Sequence, residues 1–193
     1  MRRAAIGLGL VLAVLSVGSA QAAPATLVHG LSPYPDPGGC HRAPQSGTLF
    51  VNSEVEPWVG DNDLGETDSL IGTWQQDRFS SGGSSGLLVA YSHNGGLSWV
   101  VPPLSDQPAI SNCQDPDNSG TNSDWERATD PWSDISPNGD MWFMSLSFNG
   151  TRNLRNAMLV SKSQDGGAHW TEPVLDPGLN RRQAGAERRS RRR

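Results

Sequence analysis

An eight-residue pattern occurs twice in this chain and constrains its fold more than any other feature. Residues 92–99 read Ser-His-Asn-Gly-Gly-Leu-Ser-Trp, and residues 163–170 read Ser-Gln-Asp-Gly-Gly-Ala-His-Trp. The spacing S-x-[DN]-G-G-x-x-W therefore recurs at an offset of 71. The likeness extends outward from it. Gly86–Tyr91 aligns with Ala157–Lys162, and Ile71-Gly72-Thr73-Trp74 with Trp142-Phe143-Met144-Ser145. Further upstream, Glu56-Pro57-Trp58 aligns with Asp130-Pro131-Trp132 at an offset of 74, so a loop three residues longer in the first copy reconciles the two offsets. A supersecondary unit repeats, and periods of this size belong to propellers or solenoids.

No amphipathic helical period runs between the termini. Short β-rich segments alternate with Gly, Pro, Asn and Asp, which is an all-β pattern. Each unit reads as four strands: an inner strand beginning at the acid-Pro-Trp triplet (about 56–60 and 130–135), then 69–76 and 140–148, then 86–92 and 156–163, then 98–103 and 169–175. Asn138-Gly139 marks a hairpin between the first two strands of the second unit. In the repeated octet, the Asn94 or Asp165 side chain is expected to accept hydrogen bonds from backbone N–H groups two residues on. The glycines supply positive φ, and Trp99 and Trp170 are placed to bury against a neighbouring sheet.

The octet at 163–170 resembles the Asp box, or bacterial neuraminidase repeat, and the octet at 92–99 departs from it only in having Asn94 for Asp. Together with Glu56-Pro57-Trp58, Trp74–Arg78 and Trp125–Trp132, it makes residues 50–175 similar to secreted bacterial proteins of the sialidase-like superfamily. The resemblance implies an all-β fold: a partial sialidase-like β-propeller with about two four-stranded antiparallel blades of an expected six. Such a fragment is not expected to close on its own, since each blade buries its faces against neighbours. Remaining blades or a second chain would be needed to cover two bare outer faces. The resemblance further implies a glycoside hydrolase of the exo-alpha-sialidase type, or a fragment of one, acting on terminal sugars of glycans. The alternative is a non-catalytic propeller that binds glycans or proteins.

Strand order places the candidate chemistry. The octet turns share one end of the sheets with the turns that follow the inner strands, which makes Ser92, Asn94, Gly96, Trp99, Ser163, Asp165, Gly167 and Trp170 structural. Glu56, Asp77, Arg78, Glu126, Arg127 and Asp130 gather at the opposite end. Glycoside hydrolysis needs two carboxyl groups, or a tyrosine nucleophile in sialidases, and Glu56 and Asp130 are the catalytic candidates. Arginines hold a substrate carboxylate in a bidentate fork, so Arg78 and Arg127, with Asp77 and Glu126, are candidates for substrate binding. Structural salt bridges are the competing reading for the arginines, and strand capping for Glu56 and Asp130. The Arg-apolar-Pro motif that precedes the first Asp box of many sialidases is absent. Trp125 has no counterpart in the first unit and is the candidate for stacking on a sugar.

The ends carry other signals. Met1-Arg2-Arg3, the apolar run 5–17 and Ala20-Gln21-Ala22 read as a secretory signal peptide, residues 1–22, and so as export from the cell. Residues 23–50 form an N-terminal segment, residues 51–180 the partial propeller, and residues 181–193 an Arg-rich tail with nothing apolar to pack. That tail holds seven arginines and reads as a non-native reading frame at a truncated end. Between the ends, residues 24–180 carry nineteen acidic and six basic side chains, a charge near −13 against −5 for the whole chain. This balance argues against nucleic acid as a partner. Cys40 and Cys113 make an even count in an oxidising compartment and are expected to form a disulfide. No Cys/His spacing resembles a zinc site. The acidic turns at 61–66 and 115–118 offer oxygens to Ca²⁺ without an EF-hand spacing, so a solvated turn is the simpler reading and no cofactor is expected.

Overall fold

The computed structural model describes residues 30–41, 43–62, 68–115, 125–150 and 155–175. The signal-peptide reading and the Arg-rich tail fall outside the described residues, as do most of the two acidic turns. The strands are β1 (Leu49–Asp61), β2 (Leu70–Phe79), β3 (Ser84–Ser92), β4 (Arg127–Ile135), β5 (Met141–Phe148), β6 (Asn156–Ser163) and β7 (Val174–Leu175), with one 3-10 turn at Leu104–Asp106. They run antiparallel in the order β1 to β7. A single register pair, Ser84 with Ala128, joins β3 to β4. The fold is all-β, and the strands divide into a first sheet, β1–β3, and a second, β4–β7.

Register repeats as faithfully as sequence. Trp58 stands opposite Thr73 and Leu70 opposite Ser92 in the first sheet. Trp132 stands opposite Met144 and Met141 opposite Ser163 in the second. The inner pair of strands is joined by residues 62–69 in one sheet and 136–140 in the other, which is the three-residue difference the two offsets require.

Two strand expectations need correction. The acid-Pro-Trp triplets lie inside β1 and β4, not at their heads, and each coincides with a register shift, between Val55 and Trp58 and between Thr129 and Trp132. A bulge releases one residue from the ladder, so Pro57 and Pro131 cost no pairing donor there. Glu56 (φ 54°) and Asp130 (φ 53°) take the left-handed conformation that the bulge demands. The fourth strands are also much reduced. At 98–103 only Val100 bridges to Tyr91, and at 169–175 only Val174–Leu175 forms a ladder with β6, with Thr171 N donating once to the Lys162 carbonyl (2.9 Å). Pro102, Pro103 and Pro173 remove the donors a full ladder needs.

The missing strand beside β3 is replaced by side chains. Gln107 accepts from the Val89 N–H (2.9 Å) and donates to the Val89 carbonyl (3.0 Å). Gln114 does the same at Leu87, and Ser111 Oγ donates to the Ser85 carbonyl (2.7 Å). Each buried backbone group thus finds a partner without a strand.

Packing follows from β3, whose residues alternate between two apolar faces. Leu87 and Val89 meet Ala128, Phe143, Ala157 and Leu159 of the second sheet, with Ile110, Trp125 and Trp170 completing the cluster. Leu88 and Ala90 face the other way, onto Trp74, Tyr34 and the Cys40–Cys113 pair, with Trp99 and Leu104 alongside. The inner strands approach closely: a Cβ on Gly60 would stand 2.7 Å from the Ser133 carbonyl oxygen. Among the described residues, one outer face is therefore bare, where two were expected. The N-terminal segment and residues 99–113 cover the first sheet, and the disulfide between Cys40 and Cys113 clips them together. The second sheet leaves Trp132 and Trp142 54% and 40% exposed.

The two octets fold alike. Ser92 Oγ donates to Asn94 Oδ1 (2.9 Å) and accepts from Gly96 N (2.9 Å), while Asn94 Oδ1 accepts from Ser98 N (2.9 Å). Ser163 Oγ, Asp165 Oδ1, Gly167 N and His169 N repeat those bonds at 2.8–3.0 Å. The acid or amide thus reaches the N–H four residues on, not two, because the serine hydroxyl occupies the nearer donor. All four glycines have φ between 66° and 98°. Trp170 meets Phe143 edge-on at 6.2 Å, between the sheets. Trp99 lies over Gly72 on the far face of the first sheet, where a Cβ would stand 3.2 Å from its ring.

Two outcomes are expected from these features. Cys113→Ser should lower stability, by at most about 4 kcal/mol on the chain-entropy account of a long loop, and unreduced peptide mapping should recover Cys40 linked to Cys113. The second concerns the exposed pair His169 Nδ1 and Asp165 Oδ2, 2.6 Å apart. Asp165 raises the His169 pKa by hydrogen bond and charge, and its own pKa falls to about 2 through the His169 N–H and side chain. The raised imidazole contributes stability below its unfolded value of 6.5, lost as pH rises through the folded value. The lowered carboxylate contributes above 3.8, lost as pH falls toward 2. The pair is thus fully effective from about pH 4 to 6.5. NMR titration should place His169 above an ordinary histidine, and Asp165→Ala should return it there.

Candidate functional site

The bulges set where exposed carboxylates can stand. Glu56 and Asp130 project from equivalent positions on the two inner strands, and both residues are exposed. Between them lies a polar chain. Gln75 Nε2 donates to Glu56 Oε2 and to Thr129 Oγ1 (3.0 Å), and Thr129 Oγ1 donates to Asp130 Oδ1 (2.9 Å). Arg78 donates to Gln75 Oε1 at 2.8 Å, and its other terminal nitrogen lies 3.9 Å from Glu56 Oε1. Three of the expected residues, Glu56, Arg78 and Asp130, are thus brought into one network that spans the two sheets.

Trp58 and Trp132 lie two residues beyond the acids, edge to face with ring centroids 5.7 Å apart. The Trp58 indole N–H donates to the Ser133 carbonyl (2.9 Å), which fixes that ring while leaving the residue 47% exposed.

The other candidates are held in the protein interior. Arg127 is 2% exposed. It donates to Gln45 Oε1 (2.8 Å), Ser81 Oγ (3.0 Å), Gly82 O (2.7 Å) and Ser46 O (2.6 Å), and it lies 3.8 Å over the Phe79 ring. Burial pushes its pKa down, with Glu126 opposing. This guanidinium ties two loops together, so the expectation of substrate contact does not fit it. Asp77 is fully buried at φ 61°. It accepts from Asn52 N (2.7 Å), from Gln76 (3.1 Å) and from Ser32 Oγ, and so anchors the N-terminal segment. Glu126 is buried and accepts from Gly150 N at 2.8 Å. Trp125, the expected sugar platform, is 5% exposed inside the inter-sheet core, with Arg155 5.3 Å from its ring centre. A residue without a repeat counterpart can fill a core as readily as a site.

Gln75 and Thr129 went unmarked in the sequence, yet a signal was present. At the repeat offsets, Gln75 corresponds to Leu146 and Thr129 to Val55. The register pairs Val55 with Gln75 and Thr129 with Leu146. A polar residue thus replaces an apolar one on opposite strands of the two units, which is the arrangement that lets the pair meet between sheets.

Tyr34 is buried beside Asp77, and burial followed by that charge raises its phenol well above the usual range. Tyr91 packs against Gly167 and His93. Neither is part of the Glu56–Asp130 network. Cys40, His41 and Cys113 bring donor atoms within 4.8 Å of one another, but the sulfurs are bonded together. His41 bonds the Glu126 carbonyl at 2.8 Å, and its pKa is lowered, chiefly by burial. Among the described residues, no helix is long and apolar enough to cross a membrane.

No protein-family model matches the chain, and no curated protein matches it. Among solved structures, the chain is similar to the Hadza microbial sialidase Hz136 at 22% identity and a TM-score of 0.46. That alignment covers 64% of this chain and 26% of the sialidase, so the chain spans about a quarter of that protein's length.

The environment of Arg127 generates the prediction here. Arg127→Ala strips four acceptors of their donor and should cost about 3 kcal/mol. Urea melts should register that loss, and Arg78→Ala, at a half-exposed site, should move the midpoint far less.

Proposed function

We propose that this chain is two blades of a secreted, sialidase-like β-propeller, a glycoside hydrolase or a piece of one, whose inner strands face a glycan. The observation that carries the reading is the network Glu56–Gln75–Thr129–Asp130 with Arg78. It holds two exposed carboxyl groups on adjacent inner strands, joined by an amide and a hydroxyl that fix their positions. Hydrolysis of a glycosidic bond requires one carboxyl group to protonate the leaving oxygen and another to activate water or attack the sugar. Glu56 and Asp130 supply that pair on this reading, and Arg78 with Gln75 holds Glu56 in place. The Asp-box turns at the opposite end hold the strands without touching the ligand. The half-bare face of the second sheet is where a further blade packs.

A second reading, a non-catalytic glycan-binding module, is favoured by two observations. Neither described tyrosine lies in the Glu56–Asp130 network, and Arg127 is committed to the fold. The chain without its leader, assayed against a panel of aryl glycosides, separates the two. Turnover that drops at least 100-fold in both Glu56→Gln and Asp130→Asn, with melting unchanged, is the outcome expected of the hydrolase. Retention on immobilised glycans without turnover of any aryl glycoside favours the binding module. Turnover indifferent to both substitutions overturns the site assignment.

A further inference from the structure

The charges around the Glu56–Asp130 network say which sugars it suits. A sugar carboxylate is held by guanidinium groups free to fork onto it. Here every cation among the described residues is already engaged. Arg78 is bonded to Gln75 and lies by Glu56, and Arg127 is buried among four protein acceptors. Arg155 sits over Trp125. Lys162 pairs with Asp140 near the octet end of the second sheet. The network itself carries two carboxylates against one guanidinium. Among the described residues as a whole, fourteen acids stand against four bases, a field that repels anions.

What remains suits hydroxyl groups. The free lone pairs of Glu56 and Asp130 accept from sugar O–H groups in charge-assisted hydrogen bonds. The Trp58 ring, half exposed two residues along β1, offers an apolar face to the C–H face of a pyranose. We propose that the ligand at Glu56, Arg78 and Asp130 is an uncharged, hydroxyl-rich sugar and not a carboxylate-bearing one. This rests on the glycan reading of the same site and narrows it.

The test uses the mature chain and immobilised neutral oligosaccharides, each beside its sialylated counterpart on the same core. Neutral forms should be retained at least tenfold more strongly than the sialylated ones. Raising salt from 0.05 to 0.5 M should change their retention less than twofold, because no ion pair with the ligand is broken. Glu56→Gln, Asp130→Asn and Trp58→Ala should each weaken neutral binding several-fold. Circular dichroism would verify the fold of each variant, and the two amide variants keep the test decisive if Trp58→Ala fails to fold. Sialylated glycans held as tightly as neutral ones, or released by salt, would overturn the inference and leave the glycan reading standing. Retention of neither class overturns the glycan reading itself, and the inference with it.

Discussion

A sheet that is apolar on both faces has to be covered twice, and the first sheet of this protein meets that demand with two unlike partners. Leu87 and Val89 are covered by a second copy of the same unit. Leu88 and Ala90 are covered by an irregular segment carrying Tyr34 and Cys40. Burial is continuous along β3 but alternates along β5 and β6, because the second sheet has a partner on one side only. The disulfide belongs to this constraint. An irregular segment has no ladder to hold it, and the covalent link to Cys113 adds a fixed point to the side-chain hydrogen bonds of Ser32 and His41.

The bulges tie this packing to the candidate chemistry. An acid in the left-handed region, followed by proline, turns its side chain out of the ladder at the same place on both inner strands. The Gln75–Thr129 contact then locks the two places to each other. The site and the sheet-to-sheet contact are therefore one structure, and the polar chain substitutes for apolar packing at the inner edge.

Much of this fold was legible because repetition doubles each signal. The octets, the alternating segments and the paired offsets located six of the seven strands and the loop-length difference between the units. The fourth strands were not legible, because a Val-Val or Val-Leu run promises a strand while the prolines beside it withhold the donors. Glu56, Arg78 and Asp130 could be placed together from strand order alone. Asp77, Glu126, Arg127 and Trp125 could not be separated from them, since burial depends on which loop folds over each residue. That is a property of Gln45, Ser46 and Ser81, far away in sequence from Arg127. The hydrogen-bond pattern of the octets was misjudged for a similar reason: the role of the serine hydroxyl depends on a geometry four residues long.

The edge of β3 has one more consequence. An exposed edge is a template on which another chain can add a strand. Here Ser85, Leu87 and Val89 are met by a hydroxyl and two side-chain amides, which satisfy the edge but cannot themselves pass the pattern on. A strand propagates its ladder to the next neighbour, whereas a glutamine side chain terminates it. The stack can consequently extend face to face from the second sheet, while the first sheet is unable to recruit a foreign strand along this side. That confines any lengthening of the stack to the geometry its own repeat dictates.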